Sequence, residues 1–220
     1  MTPFGFADRR QAGRVLASTL QNYAGQQNLI VLALPRGGVP VAYEVAAELH
    51  APLDVFSVRK LGVPGREELA MGAIASGGAR VVNTDVIESL RIPESEIERV
   101  AAGELAELER RERVYRDDRP YLDLEGRNVI IVDDGVATGA SMVAALCALR
   151  KRKPAKLVVA VPVGPPETCA LMRRYADDVV CAMTPERFEG VGLWYEDFSQ
   201  TTDDEVRELL ARPTQLGQAS

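Results

Sequence analysis

The sequence has a single histidine and three cysteines, too few for several common kinds of site. His50 ends a helical pattern and has no partner motif nearby, which argues against a histidine-dependent hydrolase and a histidine-rich metal site. Cys147, Cys169 and Cys181 lie in apolar segments without CxxC spacing, so we expect three reduced thiols. The opening stretch MTPFGFADRR lacks the apolar core of a signal peptide. Together these features predict a cytoplasmic protein.

Positive charge and long apolar runs are also scarce. The 26 Lys and Arg residues are outnumbered by 32 Asp and Glu residues, which gives a net charge of −6 and a pI near 5.0. A broad surface for the phosphates of a nucleic acid is therefore not expected. No apolar run reaches the roughly 20 residues that a transmembrane helix needs. We predict neither a nucleic-acid partner nor a membrane span.

The sequence does contain a series of short apolar runs rich in Val, Ile and Leu. They lie at 29–34, 53–58, 79–83, 128–133, 156–162 and 179–183. Continuous apolar runs, unlike alternating ones, indicate strands covered on both faces, as in parallel sheets. Segments with helical spacing of apolar residues lie between most of them, at 8–22, 39–50, 139–152 and 166–175. This alternation predicts a single α/β domain over residues 1–220, with an open, doubly wound, mostly parallel sheet and flanking helices.

Residues 86–120 interrupt this alternation with a predicted inserted helix. The helical pattern covers 94–117, between Pro93 and Pro120. Its apolar stripe consists of Ile97, Val100, Ala101, Leu105 and Leu108. Its opposite side carries three Glu/Arg pairs at i,i+4 spacing, at 107/111, 109/113 and 112/116. The segment is a solvated covering helix, a lid or a dimer contact, so a homodimer is one expected assembly.

The stretch VIIVDDGVATGAS (129–141) carries the strongest functional signal. Ligands of open α/β sheets bind beyond the carboxyl ends of the strands, where this run places Asp133 and Asp134. The small residues that follow let the backbone approach a ligand, and free N–H groups at the start of the next helix favour a phosphate. The lysine of GxxxxGK[ST] is absent and no GxGxxG follows the first strand. Neither a P-loop nor a dinucleotide-binding fingerprint is therefore present.

This stretch resembles the phosphoribosyl-pyrophosphate (PRPP) motif of type I phosphoribosyltransferases, in which four hydrophobic residues precede two acids and an ATG-x-S/T loop. The resemblance implies that Asp133 and Asp134, the acidic pair, contact the ribose hydroxyls. It also implies that the loop amides hold the 5′-phosphate, with hydroxyl donors from Thr138 and Ser141. The residues of this cradle are Gly135, Val136, Ala137, Thr138, Gly139, Ala140 and Ser141.

A second segment, LPRGG (34–38), again follows a predicted strand and precedes a helix. Arg36 offers a forked guanidinium to an anion, and Gly37 and Gly38 let backbone N–H groups reach it. The segment resembles the pyrophosphate loop of the same family. That resemblance implies a cis peptide bond between Pro35 and Arg36.

A third segment, SVRKLGVPGREELAMGAIASGG (57–78), begins where the strand 53–58 ends. Arg59 and Lys60 leave that strand at its carboxyl end, so we expect them near the pyrophosphate. The Gly- and Pro-rich run after them resembles the mobile loop that closes over substrate in this family, which predicts a flap over residues 59–84. Its acids, Glu67 and Glu68, are candidates for a base or a base-orienting group, and Glu68 is the one we assign. Incidental charges on a solvated loop are the alternative.

A fourth segment, FEGVGLWYEDFSQTTDDE (188–205), resembles the hood that packs on the nucleobase in purine-type members. We predict a hood over residues 184–205. The resemblance implies that Trp194 or Tyr195 stacks on a flat ring and that Asp197 contacts a metal-bound water. Simple packing of an only Trp at a domain edge is the alternative.

The combined resemblance implies an enzyme that transfers ribose 5-phosphate from PRPP to a nitrogen nucleophile, a nucleobase in the first instance, with Mg²⁺ and release of pyrophosphate. No covalent nucleophile is apparent, so a single displacement is expected. Ala137 stands where 6-oxopurine enzymes carry an aspartate, which disfavours hypoxanthine and guanine as acceptors. Two alternatives remain: a PRPP- or nucleotide-binding regulator with little or no turnover, and hydrolysis or phosphorolysis of a nucleoside phosphate.

Overall fold

The computed structural model describes residues 5–117 and 119–214, apart from the side chain of Glu68. Its centre is a five-stranded sheet of order β2-β1-β6-β7-β8 in which every neighbouring pair is parallel. The strands are β1 (Leu29–Ala33), β2 (Leu53–Val55), β6 (Asn128–Val132), β7 (Lys156–Val163) and β8 (Asp178–Met183). The predicted parallel α/β fold is confirmed.

Alternate strand residues divide the core between the two faces of this sheet. One face carries Val31, Ala33, Ile130, Val132, Val158 and Ala160, and the other carries Ile30, Leu32, Val129, Ile131, Leu157 and Val159. The first face packs against α1 (Arg9–Thr19), α2 (Gly38–Leu49) and α7 (Asp203–Ala211). The second packs against α5 (Ala140–Arg150) and α6 (Pro166–Met172). Because both faces are covered, both sets of side chains are apolar, which produces the continuous runs seen in the sequence.

The strand order reverses between β1 and β6. The chain leaves β1 into α2 on one face of the sheet and leaves β6 into α5 on the other face. The carboxyl ends of the two strands are adjacent, with Ala33 opposite Val132. The segments 34–38 and 133–139 therefore meet at a topological switch point, the usual ligand position in such sheets.

A separate antiparallel sheet, the flap sheet, contains β3 (Val58–Val63), β4 (Arg66–Ala75) and β5 (Ala79–Val82). This corrects three sequence expectations. Residues 57–78 form a hairpin where an irregular loop was expected, the run 79–83 pairs in this sheet and not in the parallel one, and the run 53–58 is split between β2 and β3. The hairpin reverses at Pro64 and Gly65, where Gly65 has a φ of 75°. Gly and Pro therefore mark one tight turn and not a whole loop.

Two helices follow the flap sheet: α3 (Thr84–Leu90) and α4 (Glu94–Arg116). The predicted apolar stripe of α4 packs against the flap sheet, where Ile97 and Leu108 join Leu61, Met71 and Ile74 in one buried cluster. The inserted helix thus buries its stripe against the flap of its own chain.

The charged side of α4 follows the prediction only in part. Arg111 Nε lies 2.7 Å from Glu107 Oε1, as the i,i+4 spacing predicts. Glu112 and Arg116 do not pair with each other, because the end of α4 is buried against β2 and the base of the flap. Glu112 accepts from the Ser76 hydroxyl, and Arg116 Nε donates to Asp54 Oδ1 over 2.9 Å.

Two of the three cysteines are joined. Cys169 on α6 and Cys181 on β8 form a disulfide, whereas Cys147 is free. The expectation of three free thiols was wrong because α6 packs beside β8, which brings together residues that are 12 apart in sequence. Among the described residues, no helix combines the length and apolar character needed to cross a bilayer.

Candidate functional site

The segments 34–38 and 133–139 lie against each other at the switch point of the parallel sheet, and we call the region that they border the cleft. The Leu34 N–H donates to Val132 O over 2.9 Å, which joins the start of one segment to the end of β6. The peptide bond between Pro35 and Arg36 is cis, as predicted. The next residues turn at once into α2, so the loop stays short and close to the acidic pair.

The acidic pair is half-buried, and each carboxylate keeps one oxygen for a ligand. Asp133 Oδ1 accepts from the Asp134 N–H over 2.8 Å, and Asp134 Oδ2 accepts from Arg9 Nε over 2.8 Å. Within residues 5–117 and 119–214, the second oxygen of each carboxylate accepts no hydrogen bond. Each carboxylate thus keeps one acceptor oxygen without a protein donor in the described part of the chain, as a contact with a sugar hydroxyl requires.

Burial disfavours the ionised form of both carboxylates and so raises their pKa values. It raises the pKa of Asp133 well above its ordinary value, and the neighbouring Asp134 charge raises it further. Burial also raises the pKa of Asp134, while the hydrogen bond and charge of Arg9 lower it. A further cation or hydroxyl donor would favour the ionised form of both groups.

Two glycines allow the segment 34–38 to lie against the acidic pair. A Cβ on Gly37 would lie 2.0 Å from Asp134 Oδ2, and a Cβ on Gly38 would lie 2.8 Å from Val132 O. Neither distance is compatible with a side chain. Gly37 is therefore required by the close approach to the Asp134 carboxylate, and Gly38 by the close approach to the backbone at the end of β6.

The cradle leads from the acidic pair into α5 and presents open amides. Within the described part of the chain, the N–H groups of Ala137, Thr138, Gly139 and Ser141 donate to no protein acceptor. Except for Gly139, these residues are exposed. The free N–H groups at the start of α5 meet the conditions for an anion site at a helix N-terminus.

Not every predicted cradle residue offers its amide. Val136 is buried, and its N–H donates to Val163 O over 3.0 Å, so it is unavailable to a ligand. The Ala140 N–H has a long contact of 3.4 Å to the Thr138 hydroxyl. The Thr168 hydroxyl on α6 donates to Ala137 O over 2.7 Å, which attaches the cradle to α6. The backbone of Gly139, with a φ of 76°, makes the turn into the helix.

The predicted pyrophosphate contacts are only partly assembled. Arg36 Nη1 lies 3.5 Å from Asp203 Oδ1 at the start of α7. Arg59 donates through Nε to Glu104 of α4, whereas Lys60 lines a cavity of about 320 Å³ that also borders Ser141. Neighbouring strand residues point to opposite faces, which is why Arg59 and Lys60 separate. The backbone of Glu68 lies in β4, but its side chain is outside the described residues.

The two aromatic residues predicted for the hood differ in their burial: Tyr195 is buried and Trp194 is partly exposed. The Tyr195 ring is buried between the rings of Phe6 and Phe198, and its hydroxyl donates to Asp134 O. This placement favours a structural role and not stacking on a base. Trp194 remains partly exposed, and Asp197 is exposed. The Asp197 carboxylate accepts from the Ser199 N–H over 2.9 Å, a hydrogen bond that lowers its pKa.

Sequence reasoning missed Arg9, which reaches the acidic pair from α1. Its Nη1 also donates to Ser199 O over 2.7 Å, and its guanidinium lies 4.0 Å from the centre of the Phe198 ring. No local pattern identifies this arginine, because it lies 125 positions before its carboxylate partner. Among the described residues, no group of three or more His, Cys, Asp and Glu side chains is arranged to hold a metal ion.

Comparison with known proteins identifies the family of this chain. The family described as "Phosphoribosyl transferase domain" matches residues 8–196. The Mycobacterium tuberculosis H37Rv protein named "Putative phosphoribosyl transferase Rv0571c" is 49% identical over 207 residues, which cover 94% of this chain and 46% of that protein. A protein of strain CDC 1551 of the same species, named "Putative phosphoribosyl transferase MT0597", matches equally. The chain thus spans about half the length of the curated relatives it matches.

A solved structure extends the similarity to the whole fold. The crystal structure of TT1426 from Thermus thermophilus is 44% identical in sequence and superposes with a TM-score of 0.83, covering 94% of this chain and 97% of that chain. The family match covers most of the chain and includes both segments of the cleft. The chain belongs to the type I phosphoribosyltransferase family.

Proposed function

We propose that this protein is a phosphoribosyltransferase that transfers ribose 5-phosphate from PRPP to a nitrogen nucleophile, with release of pyrophosphate. The observation that carries the proposal is the row of open amides at Ala137, Thr138, Gly139 and Ser141, next to two carboxylate oxygens without protein donors in the described part of the chain. A terminal phosphate needs the first feature, and a pentose needs the second.

The cradle binds the 5′-phosphate, and the acidic pair binds the ribose. Charge-assisted hydrogen bonds from amides to phosphate are about twice as strong as neutral ones. The free oxygens of Asp133 and Asp134 accept the two ribose hydroxyls, which gives the sugar one orientation. This orientation presents the anomeric carbon toward the segment 34–38, where the pyrophosphate leaves.

The segment 34–38 and the flap supply the cations for pyrophosphate. Arg36 swings from Asp203 to the phosphate, since the 3.5 Å contact with Asp203 is long and both side chains are partly exposed. Lys60 lines the same cavity as Ser141, and it approaches the pyrophosphate when the flap closes. Closure excludes water and prevents hydrolysis of PRPP.

The donor set fits Mg²⁺ bound mainly through PRPP. The two free carboxylate oxygens suit a hard cation, but the acidic pair alone is too small a set of ligands for a resident metal. Asp133 and Asp134 would hold the ion through the ribose hydroxyls or directly, and Asp197 would contact one of its waters. When bound, the ion neutralises the charge that develops on the leaving pyrophosphate.

The residues of the cleft support a single displacement. The sugar becomes cation-like as the bond to pyrophosphate breaks, and the negative acidic pair favours that state. The acceptor nitrogen enters from the hood side, where Trp194 remains partly exposed. With Ala137 in place of an acid, the cradle offers no carboxylate to take a proton from a 6-oxopurine.

A second candidate is a PRPP- or nucleotide-binding regulator with little turnover. It is favoured by the ion pairs of Arg36 with Asp203 and of Arg59 with Glu104, which engage both arginines that were predicted to contact pyrophosphate. A protein that keeps the cradle but not these cations would hold a ribose 5-phosphate group without activating the leaving group.

Pyrophosphate release from PRPP, measured with Mg²⁺ across a panel of nucleobases and other nitrogen nucleophiles, separates these candidates. We expect release with at least one acceptor, and at least about a hundredfold slower release for Asp134→Asn. Arg14→Met is the control, because the Arg14 side chain on α1 is exposed and lies 3.5 Å from Glu44 of α2. Tight PRPP binding by calorimetry without release favours the regulator. If activity on nucleoside phosphates persists in Arg36→Ala, phosphorolysis or hydrolysis is the correct assignment instead.

A further inference from the structure

Arg9 joins three parts of the chain that the proposed reaction does not by itself connect. Its Nε donates to Asp134 Oδ2 over 2.8 Å, its Nη1 donates to Ser199 O over 2.7 Å, and its guanidinium lies 4.0 Å from the centre of the Phe198 ring. The side chains of Arg9 and Asp134 are only 11% and 14% exposed. The contact is therefore largely protected from solvent screening.

The chemistry of this contact requires arginine. A guanidinium carries adjacent N–H donors in one rigid plane, so Arg9 can donate to a carboxylate and a carbonyl while its face lies on an aromatic ring. A lysine ammonium is a point charge and cannot satisfy all three partners in one position.

The contact fixes the orientation of Asp134. Since Oδ2 is held by Arg9, the carboxylate cannot rotate freely, and its other oxygen stays directed away from Arg9 for a ligand. A Cβ on Gly37 would lie 3.3 Å from Arg9 Nε, so the same guanidinium also borders the segment 34–38. Arg9 thus adjoins both segments that line the cleft.

The backbone around Arg9 runs along the hood. The Phe6 N–H donates to Trp194 O over 2.8 Å, and the N–H groups of Glu196 and Asp197 donate to Phe6 O and Ala7 O, each over 2.9 Å. The N-terminal segment 6–9 therefore holds residues 194–197, and Arg9 extends this attachment to residues 198–199. Tyr195 also reaches Asp134, but through its hydroxyl and the backbone carbonyl, whereas Arg9 reaches the carboxylate itself.

We propose that Arg9 is a positioning residue that couples the hood to the ribose site: it orients the Asp134 carboxylate and holds residues 195–199 closed over it. This inference rests on the proposed function, because the orientation matters only if a pentose binds at Asp134. Arg9 need not touch PRPP, since its effect on binding passes through Asp134.

The test uses the full chain with Arg9→Met, Arg9→Lys, Asp134→Asn and the double variant Arg9→Met/Asp134→Asn. PRPP affinity is measured by calorimetry with Mg²⁺. Hood closure is measured without ligand, by amide exchange at residues 195–199 and by the fluorescence of Trp194, the single tryptophan of the sequence. Arg10→Met is the matched control, because the Arg10 side chain is exposed and its Nη1 lies 3.8 Å from Glu44 of α2, away from the acidic pair's ion pair with Arg9.

We expect Arg9→Met to weaken PRPP binding by about tenfold and to speed amide exchange in the hood, with Arg9→Lys closer to Arg9→Met than to the wild type. In the Asp134→Asn background, Arg9→Met should weaken binding by less than about threefold, because the partner through which it acts is altered. Arg10→Met should match the wild type. Circular dichroism checks that each variant is folded. If Arg9→Met does not fold, the same comparison is made with Arg9→Lys.

Two results would overturn the inference: equal loss of affinity from Arg9→Met in both backgrounds, or hood exchange unchanged in Arg9→Met and Arg9→Lys. A wild-type protein that fails to bind PRPP would instead overturn the proposed function. The exchange measurement needs no ligand, so these two failures are distinguishable.

Discussion

At the scale of single residues, the cleft depends on glycine, because a Cβ atom would not fit where the two segments approach each other. Gly37 has φ and ψ of −57° and −34°, which any residue can adopt, so its identity is set by the space above Asp134 and not by its backbone. Gly37→Ala would place a Cβ 2.0 Å from Asp134 Oδ2. We expect this substitution to displace the carboxylate, lower PRPP affinity at least about tenfold in calorimetry and destabilise the fold by about 1–3 kcal/mol.

Gly103→Ala is the control for this prediction. Gly103 lies inside α4, and a Cβ there would meet nothing within 4 Å. The substitution should leave PRPP affinity unchanged and raise the free energy of unfolding by about 0.5–1 kcal/mol, because Ala favours a helix more than Gly. Unchanged affinity in Gly37→Ala would show that the segment 34–38 does not take part in binding.

Asp133 predicts a pH dependence with a definite sign. Burial and the Asp134 charge raise its pKa in the folded state above the unfolded value. The folded protein therefore binds this proton more tightly, so the group contributes stability below the unfolded pKa near 4 and loses it as the pH rises through the raised folded pKa. At pH 7, Asp133→Asn should raise the free energy of unfolding and flatten its dependence on pH above about 4, as measured by urea titration.

The pKa of Asp197 is shifted in the opposite direction, so its effect on the pH dependence of stability is reversed. The hydrogen bond from the Ser199 N–H lowers its pKa, so it stabilises the fold above the unfolded pKa and loses that contribution as the pH falls through its folded pKa. Asp197→Asn should therefore reduce stability at neutral pH and have no effect in strong acid. If both variants shift stability in the same direction at pH 7, the assigned causes of these pKa shifts are incorrect.

At the scale of elements, the inserted helix α4 and the flap sheet form one packing unit. Leu108 is 1% exposed and packs in the cluster that contains Leu61, Met71 and Ile74 of the flap sheet. Leu108→Ala leaves a cavity there and should lower the free energy of unfolding by about 2–4 kcal/mol. Amide exchange should increase more across residues 58–82 than across β6, because the cluster does not include the parallel sheet.

Val114→Ala on the same helix is the matched control. Val114 is 42% exposed, so its truncation should change stability by less than about 0.5 kcal/mol. Equal exchange increases in the flap sheet and in β6 would mean that the chain unfolds as one unit. The flap would then have no independent motion with which to close over PRPP.

At the scale of the whole molecule, sequence patterns predicted the parts whose causes are local. The run into Asp133 and Asp134 and the small residues after it determine a buried strand, a carboxylate pair and an open helix start within a few neighbouring positions. The strands of the flap were not predicted, because the Gly and Pro residues at the turn of Pro64 and Gly65 suggested an irregular loop in place of β3 and β4. Arg9 could not be found, because its role comes from a contact across 125 positions that only the folded chain creates.

Binding should be visible in the stability of the whole chain, because the proposed PRPP site combines segments that follow two different strands of the sheet. A ligand at about 100 times its dissociation constant adds about 2.7 kcal/mol of stability, which for a chain of this length raises Tm by about 5–10 °C. We expect this shift with PRPP and Mg²⁺ in a thermal melt, and a smaller one with ribose 5-phosphate at the same concentration, since it would occupy only the cradle and the acidic pair. Arg36→Ala should reduce the PRPP shift toward that of ribose 5-phosphate, since it removes one of the proposed pyrophosphate contacts. Equal shifts by the two ligands in the wild type would mean that the segment 34–38 contributes nothing, and a nucleoside phosphate would then be the better substrate assignment.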